Sequence, residues 1–233
     1  MRYIVWDFDG TLGWRQGGWA AAMVDALAAA ASPAALTVEV LRPHIQTGFP
    51  WHHPEVVHTD VTTADQWWDR LEPVFHRAFI AAGVGVSSAA DAAVRVRAHF
   101  LEPEHWRLFG DVIATLDALD TRGWSHVILS NHAPELHRIV DILGIGARFG
   151  GVFSSADLGY EKPHPRTYEA VREWIGNHPT IMVGDNPVAD VEGPGEVGIP
   201  AFLVRREPPP GSASEFHPGL ADLAQALRRF DAN

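Results

Sequence analysis

Residues 2–12 read RYIVWDFDGTL, and the fold expected for the whole chain starts from this stretch. Residues 3–6 form a short apolar run of aromatic and β-branched side chains, which is typical of a strand buried on both faces. The run ends in Asp7 and Asp9, followed by a glycine and a threonine. Ligand sites in open parallel sheets lie just beyond the carboxyl ends of the strands, so we expect a functional site here.

Asp7 and Asp9 stand two residues apart, so their side chains would share one face of the strand and could converge on one point. Two carboxylates about 4 Å apart repel each other by roughly 4 kcal/mol at an effective dielectric constant of about 20. A bound cation, a nearby lysine or a proton on one carboxylate would offset that repulsion. The alternative is that Asp-x-Asp-Gly-Thr is only a turn that ends a strand.

The composition is that of an ordinary globular protein, 46% hydrophobic and 20% charged over 233 residues. The formal net charge of -11 disfavours binding to nucleic acid or to anionic membranes. The absence of cysteine excludes disulfides, thiolate metal ligands and a cysteine nucleophile. The amino terminus does not resemble a signal peptide, and the Ala-rich stretch 19–31 is too short to span a bilayer. We therefore expect a cytoplasmic protein that binds neither nucleic acid nor membranes, of undetermined oligomeric state.

Helical patterns fill the chain between Gly13, which opens a loop, and about Arg107. The expected helices are, in order, residues 19–30, a short helix from Ser32-Pro33 to about Arg42, residues 63–83 with Thr63 as N-cap, and a helix capped by Ser87 or Ser88 that ends near Phe100. Residues 43–62 look irregular. The sequence therefore predicts an all-helical segment inserted after the first strand.

From Leu108 onward, predicted strands alternate with predicted helices. The strands are expected at 126–130, 151–155, 180–185 and 201–204, and the helices at 112–123, 134–143, 163–175 and 220–230, with a proline-rich connector at 207–211. Such alternation implies a parallel sheet covered by helices on both faces. The predicted fold is α/β, with a Rossmann-like parallel sheet core at 1–13 and 108–233 and the inserted all-helical domain at 14–107.

Polar residues that could take part in catalysis or binding follow the strands of this core. They are, in chain order, Asp7 and Asp9, Ser130-Asn131, Lys162, and Asp185 with Asp190. Because the carboxyl ends of parallel strands meet at one edge of the sheet, we expect these side chains to converge. Lys162 is the one lysine in a chain with 17 arginines, which suggests a task that a compact ammonium performs and a guanidinium does not.

As a set, these motifs resemble the haloacid dehalogenase-like hydrolase superfamily, of the phosphatase type. The matching motifs, in the same order, are DFDGT at 7–11, Ser130-Asn131, Lys162-Pro163, and Gly184-Asp185 with Asp190. The likeness continues to about Arg206, and residues 14–107 look like the helical cap of the best populated subclass. The motifs are specific for the superfamily and uninformative about the substrate.

The resemblance implies a Mg²⁺-dependent phosphatase that hydrolyses a small phosphorylated metabolite through an aspartyl-phosphate intermediate. Asp7 would be the nucleophile, and Asp9 would protonate the leaving oxygen and then activate the water. Mg²⁺, which prefers oxygen ligands, would take the side chains of Asp7 and Asp185 and the backbone carbonyl of Asp9. Asp190 would lie behind the metal and hold a water molecule or the lysine.

The resemblance also implies a set of groups that bind the phosphoryl oxygens. Ser130 and the Asn131 amide would hold these oxygens, and Lys162 would balance the charge on the nucleophile and the phosphate; Ser130 and Lys162 thereby take part in catalysis. Thr11, in the first motif, is a further candidate for substrate binding. His132 follows Ser130-Asn131 and is placed to touch substrate, although it could equally be part of the helix entry.

Several alternatives stay open within the superfamily. A haloacid dehalogenase needs no proton for its leaving group, and such members typically carry tyrosine where this chain has Asp9. A sugar phosphomutase keeps both aspartates and a cap, and a non-catalytic phosphate-binding member is also conceivable. Substrate choice should lie in the cap, where the candidates to face the site are Trp14, His44, Phe49, Trp51, His52 and His53. Packing is the favoured role for the tryptophans and solvent exposure for the histidines; a metal site at His52, His53 and His58 is a weak candidate.

Overall fold

The computed structural model describes residues 1–30, 32, 34–207 and 215–230. Its strands are β1 (Arg2–Trp6), β2 (Gly13–Arg15), β3 (Trp106–Leu108), β4 (Trp124–Ser130), β5 (Phe149–Ser154), β6 (Thr180–Gly184), β7 (Ala201–Val204) and β8 (Phe216–His217). Its helices are α1 (Gly18–Ala29), α2 (Val38–Leu41), α3 (Ala64–Ala81), α4 (Val86–Ala93), α5 (Val96–Phe100), α6 (Val112–Asp120), α7 (Leu136–Ile142), α8 (Ser155–Leu158), α9 (Pro165–Ile175), α10 (Gly193–Glu196) and α11 (Leu220–Ala226).

Six strands form one parallel sheet in the order β5-β4-β1-β6-β7-β8. Its centre is β1, where Ile4, Val5 and Trp6 are all buried, as the apolar run predicted. Successive side chains of β1 point to opposite faces. Trp6 belongs to the core cluster that includes residues of α6 and α11, whereas Val5 belongs to the cluster with α9. The predicted α/β sheet with helices on both faces is therefore confirmed.

The helices α1–α5 lie between β2 and β3 in the chain, and these two strands pair with each other. Gly13 lies opposite Leu108, and Arg15 opposite Trp106, so the inserted helices enter and leave through one antiparallel ribbon. The interior of this helical segment is aromatic: the Trp19 ring stacks on Phe100, with ring centroids 3.7 Å apart and planes 12° from parallel.

The inserted segment differs from the sequence prediction in several details. The N-cap at Thr63 is confirmed, because its side chain accepts a hydrogen bond from the Gln66 N–H. The cap predicted at Ser87 or Ser88 is wrong: the helix begins at Val86 after Gly85, and it stops at Ala93 before α5 begins. The helix predicted from Ser32-Pro33 to about Arg42 is shorter in the structure, where it consists of the four residues of α2. Pro33 lies outside the described residues.

Three short strands were missed by sequence reasoning. The predicted loop at 13–18 begins with β2, the end of the predicted helical segment contains β3, and β8 adds a sixth strand to the sheet. All three are two or three residues long and depend on a distant partner strand, so the local pattern carries little signal for them. Most of the predicted proline-rich connector at 207–211 lies outside the described residues. Within the described part of the chain, none of the helices has the length and apolar character needed to cross a bilayer.

Candidate active site

Asp7 follows β1 directly and is held by three donors. Its Oδ1 accepts hydrogen bonds from the Ser130 hydroxyl at 2.8 Å and from the Lys162 ammonium at 2.9 Å. Its Oδ2 accepts from the Thr11 hydroxyl at 3.1 Å. The carboxylate is buried, and donors on both oxygens fix its orientation. Asp7 is therefore a preorganised anion at the carboxyl edge of the sheet.

The Thr11 side chain is fully buried, and its hydroxyl donates to Asp7 Oδ2, which helps to orient that carboxylate. The substrate-binding role of Thr11 stays a prediction. The sequence placed Thr11 in the motif but could not show on which side of Asp7 it lies.

Lys162 joins several segments of the site through its ammonium. The Nζ atom donates to Asp7 at 2.9 Å, to Asp190 at 2.6 Å and to the carbonyl of Leu129 at 3.0 Å. Burial alone would lower the pKa of Lys162, but Asp190 and Asp7 outweigh that effect, so its pKa is raised and the ammonium stays charged. With three partners, all the donors of the ammonium are used.

The side chain of Asn131 has a role that sequence reasoning missed. Its Oδ1 accepts from the backbone N–H of Lys162 at 2.7 Å, and its Nδ2 donates to the backbone carbonyl of the same residue at 2.9 Å. This pair of bonds ties the loop after β4 to the loop that carries the lysine. The expected contact of the Asn131 amide with phosphate concerns the backbone and stays a prediction.

Three carboxylates meet beside the lysine. Asp7, Asp185 and Asp190 offer oxygens that all lie within 4.8 Å of one another, and all three side chains are buried. Two glycines permit this approach. A Cβ at Gly184 would collide with the Asp190 carboxylate, and a Cβ at Gly10, whose φ is +86°, would come within 2.7 Å of Asp185. Glycine at positions 10 and 184 of the motifs therefore has a steric reason, because a larger residue would collide with a carboxylate of the cluster.

Crowding of these carboxylates changes their acidity. Burial first, and then the charge of Asp7, raises the pKa of Asp185 to about 7, against the lowering effect of Arg206. Burial likewise raises the pKa of Asp190 to about 6, although Lys162 lowers it. An all-oxygen set of carboxylates with surplus negative charge suits a hard divalent cation, so the residues present fit Mg²⁺.

Asp9 lies at the open side of this cluster. Burial, then the charges of Asp7 and Asp185, raises its pKa to about 8. Because 39% of the Asp9 side chain is open to water, solvent screens part of these effects. An aspartate with a raised pKa keeps a proton available near neutral pH.

His132 lies next to Asp9, with its Nε2 3.8 Å from Asp9 Oδ2. Its Nδ1 lies 3.0 Å from the carbonyl of Ala133, and burial lowers the pKa of His132 to about 4. The ring is therefore neutral, donates from Nδ1, and presents the Nε2 lone pair on the side of Asp9. His132 lines the cavity yet is only 2% exposed, so little of it is available to a substrate.

A cavity of about 520 Å³ opens above these residues. The core supplies the polar floor, and the helical segment supplies Trp19, Trp51 and Pro54. Arg206, which sequence reasoning did not select, is 59% exposed at the lining and contacts Asp185 at 2.7 Å. Of the cap residues proposed to face the site, Trp51 lines this cavity, whereas Trp14, His44, Phe49, His52 and His53 do not.

The histidines of the helical segment do not form the weakly predicted metal site among the described residues. His58 is buried rather than exposed, and its Nε2 lies 3.1 Å from Glu161, a fully buried carboxylate next to Lys162. The backbone N–H of His58 also donates to the carbonyl of Gly159. These contacts join positions about a hundred residues apart, and no local sequence pattern predicts them.

Residues 1–198 match a protein-family profile described as a haloacid dehalogenase-like hydrolase. The chain belongs to this family of hydrolases. It is 31% identical over 144 residues to the haloacid dehalogenase-like hydrolase domain-containing protein 3 of Homo sapiens, which covers 61% of this chain and 57% of that protein. It is 33% identical over 138 residues to a phosphoserine phosphatase of Thermus thermophilus, covering 58% and 54%. The matches thus span a little over half of each relative.

A solved structure with the same fold is the HAD phosphatase of Thermococcus onnurineus. The two share a TM-score of 0.64 and 18% identity, over 97% of this chain and 98% of the other. At that identity the likeness establishes the fold, and function has to be argued from the site.

Proposed function

We propose that this hydrolase is a Mg²⁺-dependent phosphatase that acts on a small phosphorylated metabolite through an aspartyl-phosphate on Asp7. The observation that carries the proposal is the buried cluster of Asp7, Asp185 and Asp190 beside the ammonium of Lys162. The surplus negative charge of this cluster suits a Mg²⁺ ion, which together with Lys162 would neutralise the several negative charges of a phosphoryl group, whereas a halide leaving group needs no such neutralisation. The phosphoserine phosphatase relative supports a phosphate ester as substrate.

In the proposed first step, Asp7 attacks phosphorus in line with the leaving oxygen. Both Asp7 oxygens are fixed by hydrogen bonds, which reduces the entropy lost on reaching the reactive geometry. The Ser130 hydroxyl and the Lys162 ammonium already lie within hydrogen-bond distance of the nucleophile. They would therefore reach the phosphoryl oxygens once phosphorus is bound there.

Asp9 is the proposed acid and base. Its raised pKa supplies a proton for the leaving oxygen in the first step, and the carboxylate left behind then accepts a proton from the attacking water. Asp7, Asp185 and the carbonyl of Asp9 would hold Mg²⁺, with Asp190 behind it. When bound, the ion would neutralise charge on the phosphoryl oxygens.

The proposed division of labour places catalysis in a core of residues 1–13 and 108–233, and substrate choice in a helical cap of residues 14–107. The β2–β3 ribbon supports these boundaries, because it joins the segments at one place. The cavity supports the division of roles, because its polar floor comes from the core and part of its lining from the helices.

The proposal is tested by measuring phosphate release with Mg²⁺ from sugar phosphates, nucleotides and small phosphorylated acids. Asp7→Asn should abolish turnover in a folded protein. Asp9→Asn should slow alkyl phosphates by about 10² to 10⁴, while p-nitrophenyl phosphate gives a burst and a phosphate adduct on Asp7 visible by intact mass. Halide release from 2-haloacids without phosphatase activity would overturn the assignment, and conversion of a sugar phosphate into its isomer would indicate a mutase.

A further inference from the structure

The two sides of the cavity differ in chemistry. The side around Asp7, Ser130 and Lys162 is charged and comes from the core. The helical segment contributes Trp19, Trp51 and Pro54, and none of these three carries a charge or an acceptor side chain. With the phosphoryl group at Asp7, the rest of the substrate has this uncharged lining available to it.

The two indoles of this lining are held in place by buried rings. Trp51 lies nearly parallel to Phe49, with centroids 4.6 Å apart and planes 15° from parallel. Trp19 stacks in the same way on Phe100. Phe49 and Phe100 are both buried in the core of the helical segment, so the indoles form a wall that exists before a ligand arrives.

The cations that line the cavity already have carboxylate partners. Lys162 contacts Asp7 and Asp190, and Arg206 contacts Asp185. Within the described part of the chain, Lys162 is enclosed by its partners, whereas Arg206 is 59% exposed and its partner Asp185 belongs to the proposed metal site. The cation that a carboxylate on the leaving group could reach is therefore on the core side of the cavity. An ammonium there would find its acidic neighbours only on the core floor, where Asp7, Asp185 and Asp190 form the proposed metal and nucleophile site.

We propose that the leaving group is an alcohol that presents a ring or hydrocarbon face to Trp51 and Trp19. This inference rests on the proposed phosphatase function and names its substrate class. A carboxylate placed against the aromatic wall would lose its hydration without gaining a partner, whereas a flat apolar group gains ring contact there. A cavity of about 520 Å³ accommodates a phosphate monoester with one ring.

The test compares benzyl phosphate with O-phosphoserine, both esters of primary alcohols, in the full chain with Mg²⁺. We expect kcat/KM for benzyl phosphate to exceed that for O-phosphoserine by about tenfold or more. Trp51→Ala should lower kcat/KM for benzyl phosphate by about three- to tenfold, chiefly through KM, and should lower it less for O-phosphoserine. Inhibition by inorganic phosphate should be the same in both proteins, because the core side of the cavity is intact.

Trp174→Ala is the matched control, because Trp174 is 47% exposed on α9 and does not line the cavity. It should leave both esters unaffected. A preference for O-phosphoserine, or an equal effect of Trp51→Ala on both esters, would overturn the inference while the phosphatase function stands. If no ester is hydrolysed, the proposed function fails, and calorimetric binding of the two esters then decides the inference: tighter binding of O-phosphoserine than of benzyl phosphate refutes it.

Discussion

At the scale of single residues, the acceptors around Lys162 explain why arginine is not equivalent to lysine at this position. The ammonium of Lys162 donates to Asp7, Asp190 and the carbonyl of Leu129 from a position that is only 2% exposed. These acceptors converge on one point, which suits a tetrahedral ammonium. A planar guanidinium is larger and spreads its donors over a fork.

Lys162→Arg should therefore lose activity although the charge is kept. Misplacement of the nucleophile by about 1 Å costs on the order of 10²-fold, and we expect a fall in kcat of that size. The measurement is steady-state phosphate release. Arg166→Lys is the control, because Arg166 is exposed and forms its ion pair with Glu169 on the surface. Turnover near the wild-type level in Lys162→Arg would mean that the lone lysine reflects composition alone.

At the scale of elements, two carboxylates of the core hold the helical segment. Glu161 accepts from His58 in a fully buried contact. Glu135 accepts from Trp68 and Arg97, in a contact that water partly reaches. Each glutamate stands close in sequence to a group of the candidate site, Lys162 in one case and His132 in the other. The helical segment is thus attached to the same loops that carry the chemistry.

His58→Ala should destabilise the protein by about 3 kcal/mol, because it leaves Glu161 buried without this partner. Adding Glu161→Gln should recover part of the loss, since a neutral amide is less costly to bury. Urea unfolding gives both values. The control is Arg70→Ala, which removes an exposed ion pair with Asp60 and should cost less than about 1 kcal/mol. Equal losses for His58→Ala and Arg70→Ala would contradict the buried-pair argument.

At the scale of the whole molecule, the sheet edge concentrates negative charge in a chain that is already acidic. Because the pKa of Asp185 is raised to about 7, the folded protein holds a proton between about pH 4 and 7 that the unfolded chain has lost. Stability from this group is therefore present at low pH and declines as pH rises through that window. A divalent cation in the cluster would reverse the decline.

Wild-type protein from which a chelator has removed metal should accordingly lose stability as the pH rises from about 4 to 7. The comparison is with Asp185→Asn, which lacks the titrating carboxyl. Mg²⁺ should stabilise the wild type more at pH 7.5 than at pH 5; an excess of about 100-fold over Kd raises Tm by about 5 °C or more. Thermal unfolding at each pH, with and without Mg²⁺, provides the measurement. A Mg²⁺ effect that is independent of pH, or that persists in Asp185→Asn, would argue against metal binding at this cluster.

The sequence alone determined the sheet, the inserted helices and the convergence of the strand-end residues. Strand β1 is encoded by a local apolar run, and the motif residues follow strands whose carboxyl ends must share an edge. For that reason the sequence predicted that Asp7, Ser130, Lys162 and Asp190 lie together, as their hydrogen bonds show. Their chemical roles stay proposals.

Only the tertiary structure decided which distant residues complete the site. Thr11 donates to Asp7, the Asn131 side chain holds the lysine loop, and Trp51 forms part of the cavity lining. The sequence had named Thr11 and Asn131 only as substrate binders and had favoured packing for Trp51. His58 and Glu161 are 103 residues apart, and their contact depends on how the helical segment packs on the core. Periodicity and capping signals describe the neighbours of a residue along the chain, and they contain no information about a partner brought in by folding.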